Sequence, residues 1–525
     1  MNEPSTSSVP SPNIKTAKPL FDGAEWTFDV LKAIYDAVEE IGVGEMDLDI
    51  YPNQIEVITA EQMLDAYTST GMPLMYRHWS FGKQFAFEET NYKRGMRSLA
   101  YELVINSNPC INYVMEENSA TMQTLVFAHA AFGHNHFFKN NYLFKQWTNA
   151  DAILDYLSFA KDYVSKCEER YGLDEVEQVL DSAHAIMRQG ISRHPKRGRM
   201  KAKDRKKRQQ ERKEYEQKSY SDLWRTLPTS PVEHTEDDAL DVKSIEEGKA
   251  LGLPEENLLY FLEKYSPSLE DWQRELLRIV RVISQYFYPQ RQTKMMNEGC
   301  ATFVHYQIMN RLYGKGLLNE GTMMEFLHMH SSVIMQPNFN DRRFSGINPY
   351  ALGFAMMQDI ERIADTPTKE DEEWFPAIAG QGNALDILKS TWADFRDESF
   401  ILQYLSPKVM RDFRLFRLHD NTNEPIVEVK NIHDERGYRE VRHGLAAQYD
   451  VSRLDPDLKI TDADLSGTRR LALIHKVRNG VLLSKKHCEL TLQHIAQLWG
   501  YRVKLSEVDE ETGKSLRELE ALPLP

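Results

Sequence analysis

Apolar and polar positions alternate along this chain with three different textures. In the first, Trp26, Val30, Leu31, Ile34 and Val38 recur at three- to four-residue steps, which predicts an amphipathic helix. A helical pattern continues to about residue 68, with "GVG" at 42–44 interrupting it. Residues 72–95 are rich in aromatics and less regular, and Arg77, His78 and Trp79 there suggest aromatic packing. "RSLAYELVINSNP" fits a strand or a short buried helix. The second texture is "SATMQTLVFAHAAFGHNHFF". It is apolar on every side, which predicts a helix in the middle of a domain, with Ser119 as its N-cap. Amphipathic helices are expected over 150–190 and again from 255 to about 405. The third texture begins after "SPKVMRDF", where short alternating stretches with turn residues between them predict strands, and "CELTLQHIAQLWGY" predicts one helix. The expected architecture is mainly α: a disordered tail (1–22), a large helical core domain (23–409) and a small α+β C-terminal domain (410–525).

Composition narrows the class. The chain has 525 residues with 41% hydrophobic and 27% charged, ordinary for a globular protein with a sizeable core. With 64 basic and 79 acidic residues the net charge is −15, which argues against a general nucleic-acid binder. Four scattered cysteines without a CxxC exclude a thiolate zinc site and fit a reducing compartment. The Ser/Pro-rich N-terminus lacks the apolar stretch of a signal peptide, and there is no run long enough to span a membrane. A cytoplasmic protein is expected. Residues 193–218 are basic and 231–250 acidic, so 193–250 reads as a charged insertion. It is either a solvated helix and mobile loop or a docking surface.

Candidate chemistry lies in two apolar segments. The first holds His129, His134 and His136 within eight residues. On a straight α-helix His129 and His134 do not share a face, but a helix end or a π-bulge near Gly133 would swing His134 back. Imidazole suits metal binding, and Asn140 and its neighbours could orient such ligands. The second segment, "MMNEGCATFVHY", sets Glu298, Thr302 and His305 on one helical face. A carboxylate in so apolar a stretch needs a metal or a cationic partner, and Arg278 or Arg281 could provide the latter. Elsewhere, His328 and His330 point to different sides of a helix. No GxSxG, Walker loop or GxGxxG is present.

Together the two segments resemble a gluzincin-type zinc peptidase, whose first helix carries HExxH and whose later NEGxA-like segment supplies a glutamate ligand. "MNEGCATF" matches the second half. The first half departs: Ala130 follows the first histidine, and the second histidine comes one residue late. The glutamate that would activate water is thus absent from its usual place. Glu116, Glu117 or His136 could substitute.

The longer segments "EENSATMQTLVFAHAAFGHNHFFKNNYLFKQW", "CEERYGLDEVEQVLDSAHA", "WQRELLRIVRVISQYFYPQRQTKMMNEGCATFVHY", "SGINPYALGFAMMQDIERI" and "DESFILQYLSPKVMRDFRLF" resemble the SpoVR family (stage V sporulation protein R), in particular its proteobacterial branch, over nearly the whole chain. Members usually read NEGWATFWHY, whereas Cys300 and Val304 stand here. The position of His136 accepts other residues in that family, which places it behind the ligands. The resemblance implies a cytosolic protein. It is linked to the peptidoglycan cortex in spore formers, and to stress physiology beside a PrkA-type serine kinase and a von Willebrand-type partner elsewhere. Two functions follow as expectations. One is a metal-dependent hydrolase of peptide or amide bonds, with zinc on His129, His134 and Glu298. In it His305 and Glu117 do the chemistry, and His136, Asn140, Asn297 and Thr302 lie behind the ligands. The other is a non-enzymatic regulator or scaffold working with the kinase.

Overall fold

The computed structural model describes residues 18–69, 72, 75–93, 102–194, 251–416, 418–420, 427–429, 434–478 and 480–524. The expected tail (except 18–22) and nearly all of the charged insertion lie outside them. The chain is mainly helical and divides into two compact units. One runs to Ser165 and resumes over Pro289–Val451; the other takes Lys166–Tyr288 and Ser452–Pro525.

The first unit is a helical body with a three-stranded sheet and a two-stranded one, in which β4 (Leu418–Asp420) pairs antiparallel with β5 (Val427–Val429). Strands β1 (Asn53–Ile58), β2 (Glu102–Ile105) and β3 (Cys110–Met115) are ordered β1-β3-β2, with β1 parallel and β2 antiparallel to β3. The helical reading of the first 68 residues is corrected here. "NQIEVI" alternates, and the strand it forms lies between helices Phe28–Glu39 and Ala60–Thr68. The stretch read as irregular also contains a helix, Trp79–Lys93. "ELVI" resolves as a strand.

Ser119 caps the buried helix as expected, accepting from the Met122 N–H. The helix runs from Ala120 to Val126, widens into a π-helical stretch over Phe127–His134 and returns to α over Asn135–Asn140. It is tied to the sheet through amides. Asn53 donates to the Ala131 carbonyl at 3.0 Å and accepts from Asn112 at 3.0 Å and Asn135 at 2.9 Å. The Lys294–Gly314 helix packs against it, and the Pro349–Asp365 helix against that one. These helices approach closely because glycines meet at their crossings. A Cβ on Gly133 would lie 2.6 Å from Ala301 Cα, and one on Gly299 would lie 2.7 Å from the Gly353 carbonyl carbon. Asp397 fixes the start of the Lys294–Gly314 helix by accepting from the Met295 and Met296 N–H groups, each at 2.9 Å. Around this crossing Phe132, Val304, Ile308, Phe326, Leu352, Met356 and Trp392 form a buried apolar core.

The second unit is built on a four-stranded sheet, β6 (Leu458–Ala463), β7 (Leu471–Val477), β8 (Val503–Asp509) and β9 (Ser515–Ala521), in that order. β7 and β8 are parallel and joined through the Lys485–Trp499 helix; the outer pairs are antiparallel. The alternation read in these segments is real: Leu471, Leu473, His475 and Val477 are buried and their neighbours are not. The Leu173–Ala185 helix packs on Lys485–Trp499, where Ser182 meets His494 Nδ1 at 3.1 Å.

Candidate metal centre

The π-helical stretch settles how the histidines are arranged. In i→i+5 geometry residues five apart stand one above the other. The rings of His129 and His134 accordingly meet edge to face with centroids 4.7 Å apart. His134 also stacks on Phe138. Gly133 lets the stretch press onto Ala301, and that approach sets His134 beside Asn297 and Glu298.

The Nε2 atoms of both histidines face carboxylates. Glu298 Oε2 lies 3.9 Å from His129 Nε2 and 3.6 Å from His134 Nε2. Glu102, the first residue of β2, reaches the same place from the sheet, with Oε1 3.8 Å from His129 Nε2. These gaps are too long for hydrogen bonds. Ligand atoms arranged tetrahedrally at zinc distances would be about 3.3–3.5 Å apart. Ligand atoms of Glu102, His129 and His134 all lie within 4.8 Å of one another, so this group could hold a metal ion.

The hydrogen bonds behind the ligand atoms fix which nitrogens carry lone pairs. The Asn297 side-chain oxygen accepts, so His134 Nδ1, 2.9 Å away, is its donor. In a ring that carries one proton, His134 Nε2 then has no hydrogen and points a lone pair at the Glu298 oxygen. Glu298 Oε2 is itself buried without a hydrogen-bond partner among the described residues. Two acceptors aimed at one another without a proton are unfavourable unless a cation sits between them. The donor set and the orphaned oxygen therefore fit a divalent ion. Burial, with the Glu298 charge adding to it, pushes the Glu102 carboxyl up to about 8. Burial, and then the His134 and His305 rings, holds His129 well below imidazole's usual value, so its ring is neutral.

Other sequence candidates fall in different places. His305 lies behind His129, Nδ1 to Nδ1 at 2.9 Å, and its Nε2 meets His330 Nδ1 at 2.8 Å. Both its nitrogens are thus engaged by other rings, which suits orientation of a ligand and leaves no nitrogen for an oxyanion. Thr302 is buried, and its hydroxyl finds no partner among the described residues. His136 turns away from the cluster: its Nδ1 accepts from the Asp49 N–H at 3.0 Å and its ring meets the edge of Trp392. Asn140 bonds the Asp49 and His136 carbonyls, bracing that same turn. Glu117 is exposed and accepts from the Ala60 N–H at 3.4 Å, and Glu116 is exposed beside it. Neither faces the histidines, because β3 ends before them and the turn that follows runs over the surface. Arg278 and Arg281, the alternative partners for Glu298, both bind Glu263.

Two residues of the cluster were missed. Glu102 lies in a strand whose sequence looks like ordinary alternation, and only the pairing of β2 with β3 brings it across. His330 shares its helix with His328, but His328 is exposed and His330 buried against Tyr306, Phe326 and Phe354. Its i−25 relation to His305 is not a local pattern.

The comparisons agree with the sequence resemblance. The family model described as SpoVR like protein matches residues 25–454, and that described as SpoVR-like C-terminal domain matches 456–510. The chain is 52% identical over 511 residues to the "Uncharacterized protein YcgB" of Escherichia coli (strain K12), covering 97% of this chain and 98% of that protein. No solved structure matches. No helix among the described residues is long and apolar enough to cross a membrane. Two family models that together span most of the sequence, and a relative matched nearly end to end, place this chain in the SpoVR family.

Proposed function

We propose that this SpoVR protein is a metal-dependent hydrolase, acting on peptide or amide bonds and binding zinc through His129, His134 and Glu298, with Glu102 as a further carboxylate at the same point. The observation that carries this reading is the Glu298 oxygen, unpartnered among the described residues, facing the lone pair of His134 Nε2. A zinc ion there would supply Lewis acidity towards a carbonyl. Asn297 holds His134 in the tautomer a ligand needs. Glu102 returns a carboxylate to a site where Ala130 occupies the place of the missing glutamate. The side chains of Glu102 and Glu298 keep 21% and 17% exposure, which leaves a way in for a small polar group. The resemblance suggests cell-wall or stress physiology as the setting.

The test is elemental analysis of protein expressed with zinc, beside Glu298→Ala. One zinc per chain in the native protein and none in the variant is expected; a native protein without stoichiometric metal would overturn the reading. Ala130 beside His129 favours a second reading, a non-enzymatic regulator acting with a PrkA-type kinase and a von Willebrand-type protein. In that case metal is retained but no amide or peptide substrate turns over, and the kinase co-purifies.

A further inference from the structure

Three imidazoles run in a line from the cluster into the helical body. His129 Nδ1 meets His305 Nδ1 at 2.9 Å, and His305 Nε2 meets His330 Nδ1 at 2.8 Å. All three rings are buried, at 4%, 1% and 4% exposure. Phe326, Phe354 and Tyr306 pack around the His330 end, and Tyr350 lies parallel to the His129 ring. The rings come from three separate helical segments, so no local sequence preference explains the line.

A neutral imidazole carries one N–H and one lone pair. The N···N contacts of 2.9 and 2.8 Å each need one nitrogen to donate and the other to accept. Two hydrogen bonds in series through neutral rings admit only two patterns. In one, His129 Nδ1–H donates to His305 Nδ1, His305 Nε2–H donates to His330 Nδ1, and His129 Nε2 is left with a lone pair facing Glu102 and Glu298. In the other every bond is reversed, and His129 Nε2 carries a hydrogen. Only the first pattern can ligate a metal.

We propose that His330 is a positioning residue for the metal centre: by accepting from His305 Nε2–H it holds His305, and through it His129, in the tautomer that leaves His129 Nε2 free to bind. This rests on the metal-binding reading above. It goes beyond it by assigning a role to a residue that does not touch the ligand atoms' side of the cluster. Loss of such a supporting partner typically weakens metal binding about 10–100-fold.

The experiment is zinc titration against a chromophoric chelator for the native full chain, His330→Phe and His330→Gln. It is paired with nitrogen-15 NMR of histidine-labelled, zinc-loaded native protein. The Gln variant keeps an acceptor and also identifies the His330 signals by their disappearance. The expected result is about 10–100-fold weaker zinc binding in His330→Phe, near-native binding in His330→Gln, and His330 in the Nε2–H form in the zinc-loaded protein. His330 in the Nδ1–H form overturns the assignment whether or not the variants fold. Native-like affinity in His330→Phe overturns it too. If the native chain does not bind zinc, the metal reading itself falls and this assignment falls with it.

Discussion

Each unit of this protein sets a glutamate oxygen out of solvent beside a histidine, and the two are treated in opposite ways. In the second unit Glu507 is fully buried between strands. Its Oε1 accepts from the Leu483 N–H at 2.9 Å and meets His475 Nδ1 at 3.2 Å, and its Oε2 is bound by Arg517. Burial alone would push the carboxyl up, but the Leu483 N–H, Arg517 and His475 together outweigh it and hold it below its usual value. Arg517 also donates to the Leu483 carbonyl at 2.6 Å, so the network pins the loop before the Lys485–Trp499 helix. In the first unit Glu298 has an oxygen with no hydrogen-bond partner among the described residues, a second carboxylate close by and two imidazole nitrogens facing it. A buried carboxylate whose lone pairs are all used belongs to the architecture. One whose lone pair is unused among other acceptors is arranged for a cation from outside.

That contrast can be broken in graded ways. The largest effect is expected from Arg517→Leu, which leaves Glu507 buried without its cation. Urea denaturation should show a loss of about 3–5 kcal/mol, and a loss below about 1 kcal/mol would mean Glu507 is not held as described. Glu298→Gln should behave in the opposite sense. It replaces a carboxylate that has no cation beside it among the described residues, so the stability of the metal-free protein should be kept or improved, while zinc affinity falls more than about 100-fold, beyond the loss of a mere supporting partner. Chelator competition and thermal melts of the same samples check both halves. Gly133→Ala should cost about 1–3 kcal/mol, because its Cβ meets the Ala301 backbone and the helices must separate. The last effect is a slope and not a step. The folded state keeps a proton on Glu102 that the unfolded chain has lost, between the ordinary glutamate value near 4.5 and the raised value of about 8. Metal-free protein should therefore lose stability as pH rises through that window and then level off. Glu102→Gln should flatten the slope in melts taken from about pH 5 to 9, and an unchanged slope would place its origin elsewhere.

Much of the site was legible in the sequence because its helical half is local. Within "NEGCATFVHY" Glu298, Thr302 and His305 share one face of a regular helix, so Glu298 comes to lie beside His134 and His305 behind His129. The spacing of five between His129 and His134 asks for a widened turn, and Gly133 allows it. What was not legible depends on pairing across the chain. Glu102 arrives through strand order, and His330 through helix packing; neither has a period that marks it. The same limit explains β1. Its six residues alternate correctly, but a helical pattern on both sides hides so short a strand until β3 gives it a partner. The exposed Glu117 shows the converse, since nearness in sequence to the histidine helix did not bring it near in space.

The π-helical stretch makes the chain's phase, and not only its composition, part of the site. It contains one residue more than an α-helix would use over the same rise. Removing any single residue between Phe127 and His134 would let the segment relax to α geometry and turn everything after it by about 100°. Asn135 would then leave Tyr51 and Asn53, which it now joins at 2.8 and 2.9 Å, and His134 would leave Asn297. A one-residue deletion here should thus be far more damaging than a substitution at the same position, even an alanine taken from among three.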